Sequence, residues 1–220
     1  SIQVLAMITC HDWNHSNPFI SFNMLLHGIP CRLTTLHPAV HGNKKTFKVF
    51  IRKIGNSIFS VDKFTNNRPL GLKLKKFVEE KSNILITGAT GSGKTAFISS
   101  LLSLVKLKEH VIVLEDTQEI SICRDNFTYL LSDIDECYSL ENYTQYSMRM
   151  RPDRMIVGEL RGSEIIPFML AMNNGHKGLI SSIHANCARD GLERAALLFE
   201  MNIKDKSLSY SEVLKLISRN

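Results

Sequence analysis

Residues 84 to 95 read ILITGATGSGKT, and this stretch decides the fold of the longer part of the chain. A short apolar run comes first, then a glycine-rich turn matching G-x-x-x-x-G-K-[ST], then an apolar stretch with a helical pattern. This order gathers backbone N–H groups and a helix N-terminus around one point, which favours a bound phosphate. We therefore predict a nucleotide site for ATP with Mg²⁺. Its predicted phosphate-binding residues are Gly88, Ala89, Thr90, Gly91, Ser92, Gly93, Lys94 and Thr95.

Apolar runs that end on a polar or charged residue recur through the rest of the chain. Helical stretches separate them, a pattern typical of buried parallel strands in an α/β domain. The predicted strands are 83–87, 111–115, 155–159 and 179–184.

The ends of these strands supply candidate catalytic residues, because ligands bind at the carboxyl ends of the strands in such sheets. Glu115 and Glu159 end two strands and His184 ends a third, while Lys94 lies in the loop after the first. Phosphoryl transfer to water needs a carboxylate to orient the water and a metal ion to take up charge. Thr95 and Glu159 are the candidate metal ligands. Taken alone, His184 is equally compatible with an ordinary polar histidine.

The first part of the chain has a different pattern of short strands and turns. Phe19–Leu26 and Ile29–Leu36 flank a His27-Gly28 turn, which predicts a hairpin, and Thr46–Lys53 alternates like a half-buried strand. Polar residues and Pro69 then predict a linker. The predicted parts are a partial N-terminal domain over 1–54, a linker over 55–69 and a P-loop domain over 70–220.

Composition excludes several classes of protein. Five scattered cysteines without a C-x-x-C pair argue against a disulfide framework and against a zinc site. No apolar run reaches the ~18 residues that a membrane span needs. The net charge of +6 permits a nucleic-acid partner without requiring one.

Four motifs together resemble those of the secretion traffic ATPases, which power type II and type IV secretion and pilus retraction. The motifs are GATGSGKT at 88–95, the acidic box LEDTQE at 114–119, RMRPDRMIVGELR at 149–161 and a histidine box at 178–186. His184-Ala185-Asn186 resembles the type IV secretion and conjugation branch. The resemblance implies a RecA-like α/β ATPase domain preceded by a smaller, N-terminally truncated α+β domain, with C-terminal strands missing.

The resemblance also implies roles for individual residues. Glu115 would activate water, Glu159 would lie near the metal ion, and His184 would sense the γ-phosphate. Arg32 and Arg52 match arginines that the N-terminal domain turns towards the nucleotide. Its further implications are a homo-hexameric ring, peripheral association with the cytoplasmic face of the bacterial inner membrane, and partners among the secretion-channel proteins.

Two other functions remain open at this point. A RecA-like nucleic-acid motor would share the P-loop and suit the basic charge, and nucleic-acid-stimulated turnover would identify it. A nucleotide-gated scaffold would bind ATP without hydrolysing it, and a phosphate-release assay would identify that.

Overall fold

Eight strands and six α-helices lie within residues 12–42, 46–55, 57–120, 122–132, 138–203 and 210–219, which are the residues that the structure, a computed structural model, describes. They belong to two units, Ser1–Asn56 and Ser57–Asn220. Within the described part of the chain, no α-helix is both long enough and apolar enough to cross a lipid bilayer.

The first unit contains an antiparallel sheet of three strands in the order β1-β2-β3. The strands are β1 (Phe19–Leu26), β2 (Ile29–Leu36) and β3 (Lys48–Lys53). His27 and Gly28 have φ angles of 50° and 78°, the positive values that a two-residue turn of type I′ requires. The predicted hairpin is therefore confirmed.

Alternation along these strands separates a buried face from a second face. Ile20 and Phe22 of β1 pack with Cys31 and Leu33 of β2 in one apolar cluster. The intervening residues lie on the second face, which includes Arg32.

The second unit is built on a parallel five-stranded sheet in the order β4-β8-β7-β5-β6. Its strands are β4 (Ile84–Gly88), β5 (Val111–Glu115), β6 (Phe127–Leu131), β7 (Arg154–Val157) and β8 (Ile180–His184). Its helices are α1 (Arg68–Glu79), α2 (Lys94–Leu102), α3 (Leu140–Ser147), α4 (Ile165–Asn173), α5 (Ala188–Asn202) and α6 (Tyr210–Arg219). The predicted α/β class is confirmed.

Apolar cores cover both faces of this sheet, which explains why its strands are largely apolar. Ile112 and Leu114 belong to a core that also contains apolar residues of α4, α5 and α6. Val111 and Val113 belong to a second core with residues of α1 and α2. Successive residues of β5 therefore point to opposite cores, as the period of two in a strand dictates.

Part of the predicted linker lies within the second unit. Val61 is 1% exposed and packs in the same core as Val78 and Ile98. Two polar residues of the predicted linker accept hydrogen bonds at helix starts. Ser60 accepts from the N–H of Asp62, and Asn67 from the N–H of Leu70.

A buried ion pair lies at the end of the sheet opposite the predicted site. Arg154 begins β7 and is 1% exposed, and its Nε donates to Oε2 of Glu109 at 2.8 Å. Its Nη2 donates to the carbonyl oxygen of Val78 at 2.6 Å. Gly178 leaves room for this arginine, because a Cβ atom there would lie 3.0 Å from the Cγ of Arg154.

Candidate nucleotide site

The P-loop joins β4 to α2 with the geometry that phosphate binding needs. Gly91 and Gly93 have φ angles of 74° and 91°, which only glycine adopts at little cost. Gly88 permits a close approach, because a Cβ atom there would lie 2.5 Å from the Oγ of Ser92. The first N–H groups of α2 lack partners within the helix, so they are available to an anion.

Lys94 is the first residue of α2, and its side chain turns back into the loop. Its Nζ donates to the carbonyl oxygens of Gly88 and Ala89 at 2.9 and 3.0 Å, and lies 3.1 Å from Nδ1 of His184. Burial lowers the pKa of the Lys94 ammonium group, while the charge of Glu159 opposes this effect. The lysine therefore connects the P-loop to the end of β8.

Glu159 and His184 are brought together by the order of the strands. Gly88 and His184 are paired residues at the ends of β4 and β8, and β7 lies beside β8. Nε2 of His184 is 2.7 Å from Oε1 of Glu159, and Oε2 of Glu159 accepts from Nη2 of Arg161 at 2.5 Å. The hydrogen bond with Glu159 raises the pKa of Arg161, and no role was predicted for this arginine from the sequence.

The carboxylate beside the P-loop hydroxyl is that of Glu119. Oγ1 of Thr95 donates to Oε2 of Glu119 at 3.2 Å. Glu119 lies in the segment 116–120 that follows β5, hereafter the acidic segment. The sequence places Glu119 in the acidic box but gives it no predicted role, which falls to Glu115 at the end of the strand.

Glu115, the predicted activator of water, is the last residue of β5. Its side chain is buried, and both carboxyl oxygens accept from the backbone N–H groups of Glu119 and Ile120 at 3.2 to 3.3 Å. Burial raises its pKa to about 8, although these hydrogen bonds oppose the rise. The carboxyl group thus faces the inside of its own loop.

Gly158 follows β7 at the position where many ATPases have an aspartate. A Cβ atom there would lie 3.0 Å from Cγ of Glu115 and 3.4 Å from its Oε1. Because real Cβ contacts are rarely so short, the absence of a side chain at 158 gives Glu115 its space.

Arg32 and Arg52 are neighbours on the sheet of the first unit. They are directly paired in the β2–β3 register, so both lie on the same face. Nε of Arg32 donates to Oγ of Ser21 at 3.1 Å, and Ser21 is also 3.0 Å from the hydroxyl of Thr34. Like charges directly opposite each other destabilise a sheet unless other groups compensate.

The oxygen atoms around the P-loop are of the kind that Mg²⁺ prefers, namely a hydroxyl and carboxylates. Thr95 and Glu119 are in contact, and the charges of Glu119 and Glu159 both act on Arg161. Across the described residues, no group of three or more His, Cys, Asp and Glu side chains could hold a metal ion by itself. This donor set fits an ion that keeps several waters and shares its ligands with a phosphate.

Known proteins resemble this chain in sequence. The family model described as Type II/IV secretion system protein matches residues 20–219. Conjugal transfer protein TrbB of Rhizobium radiobacter is 29% identical over 166 residues, which are 72% of this chain and 50% of that protein. Protein VirB11 of the same organism is 32% identical over 157 residues, which are 70% of this chain and 46% of that protein. The chain spans about half the length of the curated relatives it matches.

Solved structures resemble it in fold. The VirB11 ATPase of the Brucella suis type IV secretion system, in complex with sulphate, has a TM-score of 0.62 at 26% identity, over 96% of this chain and 69% of that chain. The pilus retraction motor PilT with bound ADP has a TM-score of 0.72 at 21% identity, over 93% and 57%, a likeness of fold alone. The match over residues 20–219 shows that this chain belongs to the Type II/IV secretion system protein family.

Proposed function

We propose that the chain hydrolyses ATP to drive export of protein or DNA through a type IV secretion or conjugation channel. The observation that carries the proposal is the position of Lys94, whose ammonium group joins the P-loop carbonyls to His184. His184 in turn contacts Glu159 at 2.7 Å. A P-loop, a carboxylate and a histidine joined in this way are suited to phosphoryl transfer to water. The export context comes from the family and from relatives named for conjugal transfer.

The binding role falls to the P-loop. Its backbone N–H groups would hold the phosphates of ATP, and Lys94 would exchange its contacts with the carbonyl oxygens of Gly88 and Ala89 for contacts with phosphate oxygens. Bound Mg²⁺ would neutralise charge that develops on the phosphates during transfer. The hydroxyl of Thr95 would be its protein ligand, and Glu159 would lie close to it.

The role of orienting water passes in our proposal from Glu115 to Glu119. Glu119 contacts Thr95 at 3.2 Å, whereas Glu115 is 5% exposed and accepts hydrogen bonds from its own loop. A carboxylate that orients water must lie within reach of the reacting phosphate. Glu159 and His184 would respond to the presence of the γ-phosphate, because they connect to Lys94.

The two arginines of the first unit would bind phosphate oxygens and report the state of the nucleotide. A guanidinium group keeps its proton and grips oxygens in a bidentate fork, so it suits this task. The direct pairing of Arg32 and Arg52 supports the proposal, since it places two guanidinium groups side by side on one face of the sheet.

The proposed assembly is a homo-hexameric ring on the cytoplasmic face of a bacterial inner membrane, docked on secretion-channel proteins. Residues 1–54 would form part of the N-terminal domain of each subunit, and residues 70–220 the ATPase domain. The names of the VirB11 relatives support a place in a type IV secretion system.

Replacing Lys94 tests the proposal. Lys94→Ala removes the ammonium group, so ATP binding or phosphate release should be lost, while Lys73→Ala, at an exposed position of α1, serves as the matched control. Phosphate release and oligomer size would be measured with and without ATP and with added nucleic acid. Hydrolysis by Lys94→Ala at the parent rate refutes the site. Bound ATP without phosphate release in the parent indicates the scaffold, and turnover that depends on nucleic acid indicates the nucleic-acid motor.

A further inference from the structure

Glu115 carries a buried carboxyl group that the proposed reaction does not use. We infer that Glu115 is a positioning residue, which holds the acidic segment so that Glu119 lies against Thr95. This inference rests on the proposed function only for its consequence in turnover. The anchoring itself can be measured in the nucleotide-free protein.

The hydrogen bonds of Glu115 fix the backbone at and after Glu119. Oε1 accepts from the N–H groups of Glu119 and Ile120, both at 3.2 Å, and Oε2 lies 3.3 and 3.2 Å from the same two nitrogens. Ile120 is fully buried, so its N–H group could not exchange this partner for bulk water without local opening. A fixed backbone at 119 limits the positions that its side chain can reach, and one of these is the observed contact with Thr95.

Two residues at the neighbouring strand secure the rest of this region. Oγ of Ser132, which follows β6, donates to Oδ1 of Asp116 at 2.6 Å at the start of the segment. The hydroxyl of Tyr129 on β6 both donates to the carbonyl oxygen of Ile122 and accepts from its N–H group, each at 2.9 Å. Between Asp116 and Ile122, the carboxyl group of Glu115 fixes the backbone at Glu119 and Ile120. Its own carbonyl oxygen also accepts from the N–H of Ser132 at 2.9 Å.

The surroundings of Glu115 suit an anchor better than a base. Its oxygens already accept from two donors, and the charges that act on it are the like charges of Glu119 and Asp116. Gly158 leaves it space that any side chain would fill. A general base must instead reach the proton that it removes.

Two substitutions at 115 separate the anchor from a base. Glu115→Leu removes the acceptor oxygens, whereas Glu115→Gln keeps one acceptor oxygen and removes the possible negative charge. Amide hydrogen exchange at Glu119 and Ile120 would be followed by NMR in the full nucleotide-free chain, with the amide of Val113 in β5 as the folding control. ATP affinity and saturated turnover would be measured on the same samples.

The anchor predicts that Glu115→Leu speeds exchange at both amides by about tenfold or more, which is the effect of losing a buried hydrogen bond. It also predicts that Glu115→Gln keeps their protection and keeps turnover within about tenfold of the parent. Gly158→Ala should speed exchange in the same direction as Glu115→Leu, because it displaces the Glu115 side chain without replacing it.

Two results would overturn the inference. One is unchanged exchange at both amides in Glu115→Leu, or in Gly158→Ala if Glu115→Leu fails to fold. The other is loss of turnover by about a hundredfold in Glu115→Gln while both amides stay protected, which would make Glu115 a chemical participant. Failure of the proposed function gives a different result. The parent would not hydrolyse ATP, or Glu119→Gln would be fully active, and Glu115→Leu would still speed hydrogen exchange at the amides of Glu119 and Ile120.

Discussion

The buried carboxyl group of Glu115 should make the stability of the folded chain depend on pH. Its pKa is about 8 in the folded chain because of burial, against an ordinary value of 4.5. Between these values the folded state keeps a proton that the unfolded state releases, so the free energy of unfolding falls as pH rises. This contribution is fully present below about pH 4.5 and is lost as pH rises through about 8. At ~1.4 kcal/mol for each pH unit, the loss is at most ~5 kcal/mol.

Urea unfolding of the parent and of Glu115→Gln, followed by circular dichroism at about pH 5 and about pH 9, measures this loss. We expect the difference in free energy of unfolding between the two proteins to change by several kcal/mol. At the higher pH the parent loses stability, whereas the variant, which has no carboxyl group at 115, does not. Glu79→Gln, at the exposed end of α1, is the control and should follow the parent. A difference that stays constant within ~1 kcal/mol across this range would refute the reasoning.

Three further changes test the site and the frame around it. Glu159→Gln should spare ATP binding but lower turnover by about a hundredfold or more, since it removes the charge beside His184; normal steady-state phosphate release would reduce Glu159 to a structural role. Arg154→Ala should lower the free energy of unfolding in urea by ~3 kcal/mol or more, because Glu109 is left buried without its closest partner; a change below ~1 kcal/mol would contradict this. Arg32→Ala and Arg52→Ala should each weaken ATP binding and turnover, with circular dichroism as the check on folding. Parent-like behaviour in both would leave them ordinary surface residues.

The elements that sequence could predict are those whose local chemistry and burial agree. The hairpin of β1 and β2 follows from His27-Gly28, a pair that accepts positive φ angles. The strands β4, β5, β7 and β8 follow from largely apolar runs, and β5, β7 and β8 lie inside the sheet and are buried along almost their whole length. The strand β6 was not predicted, because it is half-exposed at the edge of the sheet and contains Thr128 and Tyr129, so it lacks a continuous apolar pattern.

Alternation along the strand explains why Glu115 is buried whereas Glu119 contacts Thr95. Glu115 has the same parity as Val111 and Val113, whose side chains enter the core beneath α1 and α2. The side chain of Glu115 is accordingly buried at the end of β5. Glu119 lies beyond the strand, where the backbone can turn its side chain towards the P-loop. The acidic box contains both carboxylates, and burial separates Glu115 from Glu119, the one that contacts Thr95.

The contacts of Lys94 indicate how an occupied P-loop would affect the rest of the site. Its ammonium group contacts the carbonyl oxygens of Gly88 and Ala89 and the ring of His184. Phosphate oxygens carry full charge and make stronger hydrogen bonds to an ammonium group than neutral carbonyl oxygens do. If Lys94 moved to a phosphate, His184 would lose that contact and keep Glu159 at 2.7 Å. His184 ends β8, which pairs directly with the P-loop strand β4. Occupancy of the P-loop would then be transmitted to Glu159 through a single imidazole ring.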